Sequence, residues 1–204
     1  MSNSTYISLL KKAVIVENIG DFNINKAECN PLFFNEFCRT VSSYHHLPYA
    51  MWEPFAGHNG RSKAQDYAAS MGLLLISYDL EPSDKRVIKA DSTVVFPGKS
   101  TVGGVFFHPP YFGTAPLSQD KRDISLIGKW EAYLSSLKKT VLLIRYALVA
   151  GGLVCAVGRD YRYGGKRVSL PREYLKLFEE ASFELCEVLK SEPDVALILR
   201  KVGK

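Results

Sequence analysis

From about residue 30 onward, short apolar runs alternate with amphipathic stretches. Four runs, 47–52, 73–78, Val102–Phe107 and 153–157, are apolar without alternation, the pattern of strands covered on both faces. A shorter strand is expected to end near Ala90-Asp91. Between them, apolar spacing and cap chemistry predict helices. One spans 31–41, with Asn30 as N-cap and Pro31 at the first helical position, and a second spans 62–71 and stops at Gly72. Two more are predicted over 129–147 and 171–180. The last two apolar runs, 183–189 and 195–201, flank Ser191-Glu192-Pro193-Asp194, a tight connection suited to an antiparallel hairpin. Residues 1–28 lack clear periodicity; they form an extension with a short strand or helix in SLLKKAVIVENI, ahead of a domain over 29–204.

Strands alternating with helices imply an α/β fold: a mostly parallel sheet with helices on both faces and a C-terminal antiparallel hairpin. Such sheets bind ligands beyond the carboxyl ends of their strands, where strand order reverses. The polar and glycine residues that end the runs should therefore converge on one edge.

Composition narrows the class. At 204 residues, 47% hydrophobic and 23% charged, the chain suits one domain with a full core. No run of about 18 apolar residues occurs, since Arg145 and Gly151-Gly152 interrupt the most apolar stretch, so a membrane span is not expected. The start, MSNSTYISLLKKAV, has neither a long apolar core nor a small-residue cleavage site, and a cytoplasmic protein is expected. Cys29, Cys38, Cys155 and Cys186 are scattered without a CxxC pair; they read as reduced thiols, and no metal is expected. The net charge of +5 is compatible with a polyanionic partner but is common among ordinary enzymes.

Three constellations carry candidate chemistry. Glu53-Pro54-Phe55-Ala56-Gly57-His58-Asn59-Gly60 is a strand end, a glycine-bearing loop and a helix start, which brings backbone close to a ligand. It contains neither a GxGxxG fingerprint nor a GK[ST] phosphate loop. Tyr78-Asp79-Leu80 ends the next strand with an acid placed to accept ribose hydroxyls, or to cap a helix; Asp91 is placed to receive an adenine amine. In the third, His108-Pro109-Pro110-Tyr111 follows an apolar strand. Two prolines stiffen the backbone and remove two N–H donors, leaving carbonyls to accept. A base amine is a poor nucleophile because its lone pair is delocalised into the ring. A side-chain acceptor and a prolyl carbonyl that bind its two hydrogens shift density onto nitrogen, while an aromatic face holds the base.

EPFAG, then YDLEP, then HPPY, resembles the amino-methyltransferases that modify adenine N6 or cytosine N4 in DNA, whose motifs are a D/E-P-F-x-G loop, a strand-end acid and [D/N/S]-P-P-[Y/F]. Asn30-Pro31 resembles the segment ahead of the cofactor loop. Residues 148–154 resemble the helix-to-strand turn after the catalytic loop, and 157–162 with Gly164-Gly165-Lys166 the loop beside the target base. The resemblance implies a Rossmann-like class I methyltransferase fold and S-adenosylmethionine as cofactor. It implies Glu53, Phe55, Gly57, Asp79, Leu80 and Asp91 as the cofactor site, and His108, Pro109, Pro110 and Tyr111 as the catalytic loop.

The sequence departs from that pattern twice. GHNG stands where GxG is usual, and His108 where a carboxylate, amide or hydroxyl is usual. Neutral imidazole accepts one hydrogen bond and imidazolium none, so transfer is expected to fall as pH drops through roughly 6.5, the ordinary histidine value. No stretch between motifs is long enough to read several base pairs. Relaxed specificity, a specificity partner subunit or a structured RNA substrate are the open alternatives, along with a catalytically silent nucleic-acid-binding subunit. Cations in 118–123 and 159–167 lie near the catalytic loop in sequence; they meet phosphates or are solvated surface.

Overall fold

The apolar runs assemble side by side into one mixed sheet. The structure, a computed structural model, describes residues 14–16, 31–44, 46–57, 62–114 and 118–203. Its strands are β1 (Val14–Val16), β2 (Ala50–Glu53), β3 (Leu74–Asp79), β4 (Ile88–Lys89), β5 (Val102–Phe107), β6 (Leu148–Tyr163), β7 (Lys166–Ser169), β8 (Phe183–Ser191) and β9 (Asp194–Lys201). They lie in the order β1-β8-β9-β6-β5-β2-β3-β4, with β7 paired to β6 outside that row. The β1–β8, β6–β5, β5–β2, β2–β3 and β3–β4 pairs are parallel. Strand β9 runs antiparallel to both β6 and β8, as the expected terminal hairpin requires.

Helices α1 (Pro31–Ser43) and α2 (Ser62–Ser70) cover one face of the sheet, and α3 (Trp130–Ala147) and α4 (Leu170–Glu180) the other. Alternation along β5 shows why both faces must be covered. Val105 and Phe107 join the core under α3 and α4, while Phe106 joins the core under α1. All six β5 residues are buried. A buried aromatic of this size stabilises by about 1.5–3 kcal/mol, so Phe106 and Phe107, on opposite faces, both favour the centre of the sheet.

Four details differ from the sequence expectation. Strand β2 begins at Ala50 because Leu47 is held in a turn, its N–H donating to the Tyr44 carbonyl at 2.8 Å. Strand β4 ends at Lys89, so Ala90-Asp91 lie just beyond it, although the Ala90 N–H still bonds the Asp79 carbonyl at 2.9 Å. Strand β6 begins at Leu148, with a shift of register against β5 between Val102 and Gly104, so the glycine pair lies in an irregular part of the strand rather than ahead of it. Residues 157–166 are not a loop: β6 runs on to Tyr163 and turns through Gly164-Gly165 into β7. Both glycines have positive φ, 55° and 76°, which suits the two-residue turns that match strand twist.

Within the N-terminal extension the structure describes only Val14–Val16, a strand beside β8. Asn30 and His58-Asn59-Gly60-Arg61 lie outside the described residues. Among the described residues, no helix is long and apolar enough to cross a membrane.

Candidate active site

Strand order reverses at β2, which has β3 on one side and β5 on the other. Because these strands are parallel, Glu53, Asp79 and the Phe107–His108 junction leave the sheet at the same edge. The topology thus brings together the three segments singled out in the sequence.

Asp79 organises the acidic side of this crevice. Its Oδ2 accepts the Gly57 N–H at 3.0 Å and its Oδ1 the Glu81 N–H at 2.9 Å. A carboxylate has about four acceptor positions, so two such bonds leave capacity for a ligand. The Ala56 N–H donates to the Tyr78 carbonyl at 2.9 Å, fastening the same loop one residue earlier. Gly57 has φ 76°, the left-handed region a side chain resists, and the space where its Cβ would stand is open. Phe55 packs edge-on against Phe107 at 5.8 Å, and Leu80 is half-buried beside Asp79.

The two remaining acids are placed differently. Glu53 is fully buried and accepts the Ser77 hydroxyl at 3.0 Å, so its carboxylate lies between β2 and β3 at the foot of the loop. Asp91 Oδ1 accepts both the N–H and the hydroxyl of Thr93, at 2.9 and 2.7 Å, closing a turn beyond β4. The hydroxyl of Ser92 ties that turn to the Pro54 carbonyl.

On the other side, His108-Pro109-Pro110-Tyr111 leaves β5 with Pro109 buried and the other three partly exposed. His108 Nε2 lies 3.1 Å from the Tyr111 hydroxyl, and which of the two donates depends on the tautomer. Tyr133 on α3 donates to the Pro110 carbonyl at 3.0 Å, and Tyr161 on β6 donates to the Phe112 carbonyl at 2.8 Å. Burial pushes the Tyr161 phenol up to about 12, which keeps it a neutral donor. Gly113 passes so close to the Tyr163 ring that a Cβ would stand 2.1 Å from it. The β6–β7 hairpin therefore clamps the loop after β5 from outside.

Four residues complete this clamp; the sequence singled out neither Tyr133 nor Asp194 for the site, and marked Arg159 and Tyr161 only as part of the 157–162 segment. Tyr133 holds Pro110, and Tyr161 stacks on Tyr111 with ring centroids 5.9 Å apart and planes 16° from parallel. Arg159, two residues before Tyr161 and so on the same side of β6, places its guanidinium 5.6 Å from the Tyr111 ring centroid. Asp194, its cross-strand partner on β9, accepts from Nε and Nη2 of that guanidinium, at 2.8 and 3.2 Å. Asp194 is 4% exposed. Burial pushes its carboxyl up, opposed by Arg159 and by hydrogen bonding from the Tyr111 hydroxyl. The alternation of Tyr161 and Tyr163 with Asp160 and Arg162 ahead of Gly-Gly is a readable hairpin signal; nothing local marks Asp194.

The cations divide into paired and exposed. Arg122 pairs with Asp120 and Arg167 with Asp160, each at 2.6 Å, whereas Lys121, Arg162 and Lys166 are exposed. Residues 118–123 dock on the acidic side, with the Gln119 N–H donating to Glu81 Oε2 at 3.0 Å. Exposed pairs contribute only about 0–1 kcal/mol, so a phosphate can displace either carboxylate at little cost.

No protein-family model matches the sequence, and no curated protein is similar to it in sequence. Solved structures share its fold. The 1,6-didemethyltoxoflavin-N1-methyltransferase of Burkholderia thailandensis, described with bound 1,6-didemethyltoxoflavin and S-adenosylhomocysteine, is 13% identical over 85% of this chain and 80% of its own, with a TM-score of 0.57. A TehB-like SAM-dependent methyltransferase from Corynebacterium glutamicum is 12% identical over 81% of this chain and 86% of its own, with a TM-score of 0.53. TrmN from Thermus thermophilus is 17% identical over 87% of this chain and 50% of its own, with a TM-score of 0.53.

Proposed function

We propose that this chain, which has the class I methyltransferase fold, transfers a methyl group from S-adenosylmethionine to an exocyclic amine of a base in DNA, adenine N6 before cytosine N4. The observation that carries the reading is the exit of His108-Pro109-Pro110-Tyr111 from β5 at the strand-order reversal, opposite the loop that Asp79 fastens.

The residues present fit the cofactor. Asp79 retains acceptor capacity for ribose hydroxyls, Gly57 leaves open space beside its backbone, and Phe55 and Leu80 supply apolar walls. Glu53 supports that loop from below, and Asp91 stands on the turn tied to Pro54. When bound, S-adenosylmethionine supplies an electrophilic methyl group. The chain's own task is then to orient the amine. His108 accepts one amine hydrogen and the Pro109 carbonyl the other, while the Tyr111 ring, backed by Tyr161, holds the base in plane. A base must leave its stack to reach such a loop. Lys121, Arg162 and Lys166, with Arg122 and Arg167 released from their surface pairs, are placed to meet the phosphates around it. These few contacts leave sequence choice to relaxed specificity or to a partner subunit.

Incubation with labelled cofactor and either DNA or RNA tests the substrate class. We expect label in DNA at a rate well above that in RNA; equal or better transfer to RNA would make RNA the substrate. If purified protein fails to bind the cofactor in a titration, the chain is instead a silent nucleic-acid-binding subunit.

A further inference from the structure

Strand alternation divides the end of the β6–β7 hairpin into two sides. Arg159, Tyr161 and Tyr163 share one side of β6, and Lys166 joins them because it stands directly opposite Tyr163. Arg162 and Arg167 stand opposite each other on the other side. Residues 162–167 are all exposed. Tyr163 is 43% exposed although its ring is braced on the loop after β5. Three ring carbons lie within 2.6 Å of where a Gly113 Cβ would stand, and Phe112 meets the ring edge-on at 4.9 Å, with planes 71° apart. Gly113, at φ 68°, admits this approach because it has no side chain. A ring already held in this way loses little freedom when a second flat group covers it.

The charges around Tyr163 decide what can cover it. Like charges directly opposite across a strand pair destabilise it, and Arg162 and Arg167 are so placed; Asp160 offsets one of them, accepting from Arg167 at 2.6 Å. An apolar protein surface laid on Tyr163 would strip water from Lys166 beside it without supplying a counter-charge. A nucleic-acid strand supplies both a flat face for the ring and phosphates for the cations. The spacing requires that strand to be unstacked. Tyr163 stands about 6.6 Å along β6 from Tyr161, the ring that backs Tyr111, whereas a strand in a duplex advances about 3.4 Å per nucleotide.

We propose that Tyr163 and Lys166 form a subsite for the nucleotide next to the target in an unpaired strand: its base stacks on the Tyr163 ring, and its phosphates meet Lys166 and the Arg162–Arg167 pair. The subsite rests on the reading of this chain as a nucleic-acid base methyltransferase, and it deepens that reading by making an unpaired strand the form in which the substrate is taken.

The test is the binding of a fluorescently labelled single-stranded DNA oligonucleotide to the full chain, followed by anisotropy without cofactor, beside a duplex of the same length. We expect the single strand to bind more tightly. Tyr163→Leu keeps an apolar side chain against Gly113 but has no π face. It should weaken single-strand binding by on the order of tenfold, the usual worth of one base stacked on an aromatic ring, with the melting temperature unchanged. Tyr163→Phe keeps the face and should bind within about twofold of the native protein. Lys166→Ala should instead flatten the plot of log affinity against log salt by about 0.7, one phosphate contact on a single strand, while Tyr163→Leu keeps the native slope. Native affinity in a folded Tyr163→Leu overturns the proposal, as does a duplex bound as tightly as the single strand. An unchanged salt slope in Lys166→Ala, which leaves the ring untouched, also overturns it. So does self-association of the native chain that Tyr163→Leu abolishes without changing affinity for the strand; the face would then belong to a second copy. Methyl transfer to the same oligonucleotide is measured separately. Binding that depends on Tyr163 without transfer to any nucleic acid overturns the function and supports the subsite. Transfer by a native protein whose binding does not depend on Tyr163 does the reverse.

Discussion

Replacing His108 with alanine should lower single-turnover methyl transfer by about 100- to 1000-fold, the usual cost of removing one preorganised hydrogen-bonding group at a reacting centre. Cofactor binding should be unchanged, because the proposed cofactor side of the crevice is built on other residues, Asp79, Gly57 and Phe55. The physical reason is the poor nucleophilicity of the amine: without an acceptor for its hydrogen, the lone pair stays in the ring. His108→Asn should lose far less than His108→Ala, since an amide carbonyl is an acceptor one bond beyond Cγ, where Nδ1 stands. The two variants also differ in pH response. The native protein should lose transfer activity on the acid side, because the protonated ring has no lone pair. His108→Asn has no such group and should show no acid limb from this position. Equal rates for native protein and His108→Ala would remove His108 from the chemistry.

Asp79→Ala should weaken S-adenosylmethionine binding by on the order of 100-fold, about two hydrogen bonds to a charged group at the low end of their range. Two effects act together. The ligand loses a carboxylate acceptor, and the Gly57 and Glu81 N–H groups lose the partner that fastens the loop. Because Asp79 is only half-buried, water replaces part of the second loss. The melting temperature should therefore fall by several degrees rather than collapse. Titration calorimetry and a thermal melt separate the two: unchanged affinity with a lowered melting temperature would make Asp79 a structural loop fastener only.

The sequence was most legible where burial is two-sided and contacts are local. Strand β5 occupies Val102–Phe107, the run read from its continuous apolarity, because a central parallel strand must satisfy both faces. Helix α3 begins at Trp130 with Lys129 as its cap, one residue from the expected start. The order of Glu53, Asp79 and His108 at strand ends places them at one edge in any parallel sheet, so the crevice follows from topology. Residues 159–169 were harder. They are largely exposed, so no core enforces their pattern, and the usable signs of a hairpin were the Gly164-Gly165 turn and the short alternation of Tyr161 and Tyr163 with Asp160 and Arg162 ahead of it. The Arg159–Asp194 pair was not legible at all. It depends on the register of β6 against β9, and register comes from long-range packing rather than from any spacing along the chain.

The central claim, that the loop after β5 presents an exocyclic amine to the cofactor, is tested most directly by the identity of the methylated nucleoside. DNA is incubated with the purified chain and labelled S-adenosylmethionine, digested, and its nucleosides separated against standards. We predict label in N6-methyladenine; label in N4-methylcytosine would keep the amine chemistry and change the base. Label on a ring carbon, or on no nucleoside of DNA or RNA although the cofactor binds, would contradict the account.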